Sequence, residues 1–364
     1  MNLGFSLVPF PRGDSDLCDI WRCAARNAPF FLSWPWMGTL LDRLEPGREP
    51  FLLSEGGVPL ALITHRRAKL GGIWPVSRWF VNESGNNLHD RLAMEYNGLL
   101  LQDRMGEAFA WLFQNIPDPG QITMRNSCKI AGQAFLRAAD DCGWSGELES
   151  KSSVPILDYR QLNTANGNYL ASRGRNTRAS LKRAMRLYRE EFGELTLARA
   201  ETLADAAATF KALQVLHEEQ WREKGRPGAG ANPLFRPFHL KLIERAFSSG
   251  NVDLVTVTAG EQTIGYLYNF VKDAQVLAYQ SGFMKPADNR YKPGYVCHLM
   301  AIEDYLRQGM RAYNFLAGAA PYKMQLANCS DELLSVSAVP RGHAVHLYRQ
   351  ARGRLSWFRS NAPS

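Results

Sequence analysis

Apolar and polar positions are most regularly spaced between residues 275 and 316. An alternating run, QVLAYQSGF (275–283), predicts one strand, and MRAYNFL (310–316) predicts another. Between them, NRYKPGYVCHLMAIEDYLRQG (289–309) carries aliphatic residues at helical spacing and ends on Gly309, a typical helix stop. The pattern therefore predicts a strand, a glycine-bearing loop, a helix and a strand.

A faint internal repeat links the two halves of the chain. Residues 30–66 predict a helix, a strand, a tight glycine turn and a second strand, and residues 235–270 predict the same series. When Gly57 is placed on Gly260, the apolar helix positions keep their spacing without a gap. Two copies of one α/β unit follow, although two unrelated helix–hairpin units could share this pattern by chance.

The remaining segments alternate between strand and helix patterns. In the first half, strands are predicted at 91–101 and 120–127 and helices at 103–116 and 131–143; near the end of the chain, a strand at 332–340 precedes a basic helix at 345–360. Helices and strands that alternate, with hairpins among them, predict an α/β or α+β fold. We expect two domains, residues 1–160 and 161–364, each a mixed, mostly antiparallel sheet flanked by helices.

A basic amphipathic helix is predicted between the halves, within residues 169–193, with Asn176 or Thr177 as its N-cap. Its seven Lys and Arg side chains allow three interpretations. They would bind a phosphorylated acceptor, since arginine forms bidentate pairs with phosphate; they would lie on an anionic membrane surface; or they form a solvated helix face. Three arginines crowd the helix start and are the candidate substrate-binding residues: Arg173, Arg175 and Arg178.

Composition narrows the classes of partner. The chain has 364 residues, 45% of them hydrophobic, and a formal charge of +8, which favours anionic partners such as phosphates or an acidic membrane surface. Nucleic acid is disfavoured because aromatic residues do not interleave with the basic ones. No run of about 20 apolar residues predicts a membrane span, and the N-terminus lacks the pattern of a signal peptide.

The six cysteines show neither a CxxC pair nor zinc-ligand spacing. We therefore expect reduced, mostly buried thiols, a cytoplasmic protein and no structural metal.

The loop before the helix at 289–309 is the candidate anion site. A helix N-terminus offers unpaired N–H groups to an anion, and Gly294 allows close approach of a ligand to the backbone. Arg290 and Lys292 add positive charge. The alternative is a connecting loop in which the glycine only permits a turn.

Three segments together resemble the GNAT superfamily of N-acyltransferases. They are RGRNTRASLKRAMRLYREEFG (173–193), LQVLHEEQWREKG (213–225) and YKPGYVCHLMAIEDYLRQGMRAYNFLAGAAPYK (291–323). Including PFFLSWPW (29–36), the chain resembles the tandem-GNAT proteins labelled CelD-like, which are associated with cellulose, holdfast and other exopolysaccharides and are related to the FemABX aminoacyltransferases. The loop departs from the usual GNAT pattern, because Tyr291 and Val296 stand where Gln or Arg and a second Gly or Ala are expected.

The resemblance implies an acetyltransferase whose co-substrate is acetyl-CoA, or another acyl-CoA, and whose acceptor amine attacks the thioester directly. It implies cofactor-binding roles for Lys292, Gly294, Tyr295, Val296, Tyr279 and Asn314, and substrate contacts for Trp221 and Tyr322 in addition to the three arginines. The candidate catalytic residues are Lys323, as a phosphate or oxyanion contact at a strand end, and Glu218 and His298, as bases. Glu219, Asp253 and Asp273 are weaker candidates for the base. Each of these residues also has an ordinary structural interpretation, as a packing or surface side chain.

We therefore expect an N-acyltransferase that modifies an amino sugar or related amine, small or lipid-linked, in exopolysaccharide biosynthesis at the cytoplasmic side. Contact with an anionic membrane surface is an open expectation. Two alternatives remain: a FemABX-like enzyme that takes its acyl group from aminoacyl-tRNA, and a non-catalytic GNAT-fold binding or regulatory module.

Overall fold

The computed structural model describes residues 4–11, 15–44, 50–70, 72–162, 169–286, 288–318 and 320–347, and only the backbone of Ser15 and Asn87. The chain forms two compact units. Unit 1 comprises Met1–Ser152 with Glu332–Ser364, and unit 2 comprises Ser153–Asp331. The end of the chain thus belongs to unit 1, whereas the sequence prediction assigned it to the second domain, residues 161–364.

Unit 1 alternates hairpins with helices. Its elements are β1 (Phe5–Pro9), α1 (Ser15–Ala24), α2 (Trp34–Leu41), β2 (Phe51–Glu55), β3 (Val58–Leu70), β4 (Trp74–Val81), α3 (Asn87–Asp90), α4 (Met105–Asn115), β5 (Gln121–Cys128), α5 (Lys129–Asp141) and the first part of β6 (Trp144–Asp158).

Unit 2 begins within β6 and repeats this order. Its further elements are α6 (Arg175–Phe192), β7 (Leu195–Arg199), α7 (Leu203–Glu223), α8 (Phe235–Ala246), β8 (Val252–Ala259), β9 (Gln262–Lys272), β10 (Gln275–Phe283), α9 (Pro293–Arg307), β11 (Ala312–Asn314), α10 (Pro321–Leu326) and the start of β12 (Cys329–Pro340), which continues into unit 1.

The strands of each unit are mostly antiparallel. In unit 1 the order is β1-β2-β3-β4-β5-β12, and the parallel neighbours are β4 and β5. In unit 2 the order is β7-β8-β9-β10-β11-β6, and the parallel neighbours are β10 and β11. The last strand in each order lies far along the chain from its neighbour. β12, near the end of the chain, pairs with β5, and β6, at the end of the first half, pairs with β11.

Helices cover both faces of the unit 2 strands, because successive strand residues point to opposite faces. On β9, the Asn269 amide donates to the Tyr305 hydroxyl of α9 at 2.9 Å. The next side chain, Tyr268, lies with its hydroxyl 3.3 Å from Nδ1 of His239 on α8. Helices α6 and α9 therefore pack on one face, where they build one hydrophobic core, and α8 packs on the other.

Local sequence explains where the helix α7 begins. Thr202 and Asp205 form a reciprocal capping box, in which the Thr202 hydroxyl accepts from the Asp205 amide and the Asp205 carboxylate accepts from the Thr202 amide. In unit 1, the core cluster joins α4 and α5 to the strands, with Phe109 and Phe135 in edge-to-face contact. The capping box thus fixes the start of α7, the helix that carries Glu218 and Trp221.

The structure confirms the mixed fold and the repeated helix–hairpin unit. Helix α2 with β2 and β3 corresponds to α8 with β8 and β9, and their tight turns hold Gly57 and Gly260 at positive φ. The predicted strand at 91–101 is wrong, because Ala93 and Tyr96 adopt left-handed backbone that interrupts an extended chain.

Two further predictions change in detail. Helix α6 begins at Arg175 with Gly174 as N-cap, and no side chain caps it, so neither Asn176 nor Thr177 has that role. The six cysteines are free thiols, but Cys297 is the buried one among them and Cys23 is exposed. The predicted C-terminal helix can be followed only to Leu347, and the rest of it lies outside the described residues.

Candidate active site

The parallel strands β10 and β11 part after three paired residues. Their register runs from Gln275 opposite Ala312 to Leu277 opposite Asn314, whereas β10 continues to Phe283. The pairing of β10 with β9 shifts at Tyr279, which places a β-bulge where the strands part. Beyond Leu277, no strand in the described part of the chain pairs with this side of β10, so its edge is open.

The hydrogen-bond pattern shows which backbone groups face the open edge. The Met284 amide donates to the Ile264 carbonyl at 2.8 Å, which marks a hydrogen-bonded pair. Because such pairs alternate along antiparallel strands, Ser281 and Phe283 direct their N–H and C=O groups away from β9. The open edge of β10 therefore presents two carbonyls and two amides.

Helix α7 reaches this edge with two side chains one turn apart. Nδ1 of His217 lies 2.9 Å from the Ser281 carbonyl, and the Gln220 amide donates to the Phe283 carbonyl at 3.1 Å. Backbone packing is equally tight, since a Cβ on Gly282 would lie 2.3 Å from the Leu213 carbonyl of α7. Helix α7 and the edge of β10 thus form one wall of the candidate site.

His217 is held as a neutral base at this wall. A carbonyl only accepts, so Nδ1 carries the proton and Nε2 keeps its lone pair. Burial is the main cause that lowers the pKa of His217, while the Ser281 carbonyl and Glu218 oppose the shift and Lys224 adds to it. Among the described residues, none hydrogen-bonds Nε2. His217 was not among the residues predicted from the sequence; its i, i+3 spacing with Gln220 was the available signal.

Helix α9 begins at the end of the same strand. Lys292 adopts left-handed backbone with φ 46° and precedes Pro293, which has no N–H to satisfy. The amides of Gly294 and Tyr295 make no hydrogen bond to any described residue, so they are the ones open to an anion. The Val296 amide already donates to the Lys292 carbonyl at 3.1 Å, and its side chain is buried, which does not fit the predicted cofactor contact of Val296.

Gly294 fixes this helix start against β10. A Cβ at residue 294 would lie 2.9 Å from the Phe283 ring. A larger residue here would thus displace the Phe283 ring, whether or not a ligand approaches the loop. The Lys292 ammonium lies 5.5 Å from the centre of the Tyr295 ring, at the start of the same helix.

His298 lies behind the helix start in an aromatic pocket. Its ring stacks on Tyr322 at 5.2 Å, and Nδ1 lies 2.9 Å from the Tyr313 hydroxyl. None of the described residues hydrogen-bonds the buried Nε2. Burial, assisted by the charge of Lys323, lowers the pKa of His298 to about 3. His298 is therefore neutral, but its burial separates it from any solvent-borne acceptor.

Lys323 stands on the short helix α10, not at the end of a strand as predicted. Its ammonium donates to the carbonyls of Leu316, at 3.2 Å, and Ala317, at 2.9 Å. Leu316 has a positive φ of 57°, and its amide donates to the Asn314 side chain at 2.8 Å. Asn314 and Lys323 together shape the turn after β11, beside the open edge.

The three predicted arginines separate. Arg173 donates to the carbonyls of Leu326, at 3.2 Å, and Ala327, at 2.8 Å, where it caps helix α10. Arg178 donates to the carbonyls of Ala171 and Arg173. Arg175 is exposed. Two of the three thus have structural contacts, and Arg175 is the exposed member of the set.

The remaining predicted residues lie around α7 and α8. The Tyr279 hydroxyl lies 3.0 Å from Nε2 of His239, so this side chain points toward α8 rather than along the open edge. Trp221 lies next to His217, with ring centres 5.8 Å apart, and Glu218 is exposed beside the Gly230 backbone. The structure brings Trp221 to the candidate site and places the Tyr279 side chain against α8.

Of the weaker carboxylate candidates, Asp253 and Asp273 are ion-paired and Glu219 is exposed. Asp253 accepts from Arg199 at 2.9 Å and from the Tyr305 hydroxyl at 2.6 Å. Asp273 pairs with Lys272, and Glu219 is exposed on α7.

In unit 1, the chain itself fills the corresponding gap. The strands β4 and β5 also part, but Asn97 lies between them: its amide donates to the Asn126 carbonyl at 3.0 Å, and its side chain donates to the Val81 carbonyl at 2.8 Å. The Asn82 side chain adds a bond to the Gly98 carbonyl at 2.7 Å. Unit 2 therefore holds the candidate site.

Comparison with known protein families gives a match over this site. Residues 175–324 match the acetyltransferase (GNAT) domain. The match runs from the start of α6 to Met324 on α10 and therefore includes the open edge, the α9 start and Lys323. A search of curated proteins finds no match to the chain.

Solved structures share the fold of nearly the whole chain at low sequence identity. FemX superposes with a TM-score of 0.61 at 8% identity, over 95% of this chain and 99% of FemX. L-PGS from Bacillus licheniformis gives 0.51 at 12% identity, over 94% and 96% of the two chains. A conserved protein of unknown function from Bacteroides thetaiotaomicron gives 0.52 at 8%, over 93% and 100%. At such identities, these likenesses establish the fold.

Within the described residues, His, Cys, Asp and Glu do not gather into a group able to hold a metal ion. The helices described there include none that is long and apolar enough to cross a membrane.

Proposed function

We propose that the protein is an acyl-CoA-dependent N-acyltransferase whose site is the open edge of β10 in unit 2. The parting of β10 and β11 supports the proposal most directly, because it leaves the outward-facing amides of Ser281 and Phe283 beside a helix N-terminus. An extended acyl-carrying arm that lies along this edge can accept hydrogen bonds from such amides. The GNAT match over the same residues agrees with this use.

The residues present fit the phosphates of CoA. The amides of Gly294 and Tyr295 and the positive end of the α9 dipole favour an anion, and the Lys292 ammonium lies beside them. The preceding loop carries Arg290, which pairs with Asp288. When bound, the co-substrate supplies an activated thioester carbonyl.

His217 is the residue that we propose as general base. An amine that attacks a thioester must lose a proton, and a neutral imidazole with a free Nε2 accepts it. The Ser281 carbonyl holds the ring in the required tautomer and orientation. We propose that one of the outward amides, of Ser281 or Phe283, donates to the carbonyl oxygen as it gains negative charge.

For the acceptor we propose an amino sugar or related amine, small or lipid-linked, used in exopolysaccharide assembly. This part rests on the sequence resemblance, and Arg175 and Trp221 are the side chains that we expect it to meet. The alternative donor, aminoacyl-tRNA, has the whole-chain fold likeness to FemX in its favour.

Ligand-induced thermal shifts test the donor. A ligand at 100 times its Kd stabilises the native state by about 2.7 kcal/mol, which is roughly 5–10 °C for a unit of this size. We expect such a shift with acetyl-CoA, or with longer acyl-CoAs, and a smaller one with free CoA. If no CoA species shifts the Tm while transfer depends on charged tRNA, the aminoacyl alternative holds.

Thiol release in the presence of glucosamine tests the reaction. Activity that requires both acetyl-CoA and the amine supports acyl transfer. If the protein binds CoA but transfers nothing to any amine tested, and Lys323→Ala leaves its function in cells intact, the non-catalytic binding module is the better description.

A further inference from the structure

The hairpin formed by β3 and β4 in unit 1 ends in two exposed apolar side chains. Ile73 is 76% exposed and Trp74 is 64% exposed, although both belong to residue types that usually lie inside. They are neighbours at the tip of the hairpin, past the last residue of β3. No described residue covers them.

Basic side chains stand on the strand that leads to this tip. Arg66, Arg67 and Lys69 are all exposed. Arg66 donates to a backbone carbonyl, that of Gly85, which does not neutralise its charge. Arg67 lies 3.7 Å from Asp118, and both side chains are mostly exposed, so water screens the pair. The tip is therefore apolar, and the part of β3 that leads to it is positively charged.

The hairpin is anchored close to its tip. Leu70, which pairs with Trp74, and Val76 are buried against Val339 and Val345 in a small core cluster.

We propose that this hairpin tip binds the surface of an anionic lipid bilayer. Ile73 and Trp74 enter the interfacial region, where an amphipathic tryptophan ring is favoured, and Lys69, Arg67 and Arg66 meet the anionic headgroups. A protein partner fits less well, because a stable interface covers about 800 Å² on each side and this tip offers two large apolar side chains. The inference does not depend on acyltransferase activity.

Co-sedimentation of the full chain with vesicles tests the proposal. We expect binding to vesicles that contain phosphatidylglycerol, weaker binding to pure phosphatidylcholine and loss of binding at high salt, since surface charges are then screened. The double variant Ile73→Ser/Trp74→Ser should bind at least about tenfold more weakly. Lys69→Gln should weaken binding about fivefold, the factor that corresponds to about 1 kcal/mol per basic residue.

A matched control keeps the test specific. Ile130→Ser removes another apolar side chain of unit 1, 70% exposed on α5, and should bind vesicles as the wild type does. The Tm of each variant verifies folding. The proposal is overturned if the wild type ignores phosphatidylglycerol vesicles, if the double variant binds them equally well, or if the tip instead drives self-association that the double variant abolishes. Thioester turnover without vesicles should be equal in all these variants, which separates this test from that of the proposed function.

Discussion

Replacing His217 by glutamine should remove the proposed base and leave the wall of the site intact. The glutamine amide can still donate to the Ser281 carbonyl, which His217 now contacts at 2.9 Å. The free energy of unfolding should therefore change by less than about 1 kcal/mol. Transfer should fall about 10²–10⁴-fold, the range for loss of a general base.

The pH dependence gives the sharper measurement. Burial lowers the pKa of His217 below 6.5, so Nε2 is free throughout the neutral range and becomes protonated only at lower pH. The ratio of wild-type to His217→Gln kcat cancels the titration of the acceptor amine. This ratio should be constant above pH 6.5 and fall toward unity below the pKa of His217.

Two further variants separate chemistry from packing. Gln220→Ala leaves the Phe283 carbonyl without its side-chain donor, one turn along the same helix, and should cost about 1–3 kcal/mol of stability with the wild-type pH profile. His217→Ala should regain activity when imidazole is added. If His217→Gln retains more than about a third of wild-type kcat, or if the kcat ratio does not change with pH, His217 is not the base.

Three other outcomes follow from the contacts of unit 2. Gly294→Ala should push the α9 start away from the Phe283 ring and weaken the acetyl-CoA thermal shift; Gly106→Ala, in the first turn of α4, meets no atom within 4 Å and is the control. Lys323→Met should lower the unfolding free energy by about 1–3 kcal/mol, measured in urea, because two carbonyls of the turn lose their charged donor; an unchanged urea midpoint would contradict this. His298 has a pKa of about 3 in the folded state against 6.5 in the unfolded state, so the unfolded state binds the extra proton between these values. The free energy of unfolding should therefore be highest above pH 6.5 and fall by up to about 1.4 kcal/mol per pH unit as the pH falls toward 3. The variant His298→Phe should show a flatter dependence of stability on pH in this range.

Elements that depend on local pattern were predictable from the sequence. The strand at 275–283 coincides with β10, and the helix predicted after it coincides with α9 apart from its loop. Periodicity determines these elements, because it reports which side of a helix or strand will be buried. The same reasoning predicted a strand at 91–101, where positive φ at Ala93 and Tyr96 interrupts the chain. Apolar residues of this segment are buried although the segment forms no regular strand.

The sequence by itself determined the mixed α/β fold, the repeated helix–hairpin unit and the glycine-bearing start of α9. Tertiary structure alone decided that β6 and β12 each complete the strands of the other half and that Asn97 fills the gap of unit 1. It also decided that His217, and not Glu218 or His298, faces the open edge of β10. These outcomes depend on hydrogen bonds between residues far apart in the chain, and local spacing carries no information about which distant carbonyl a side chain will meet.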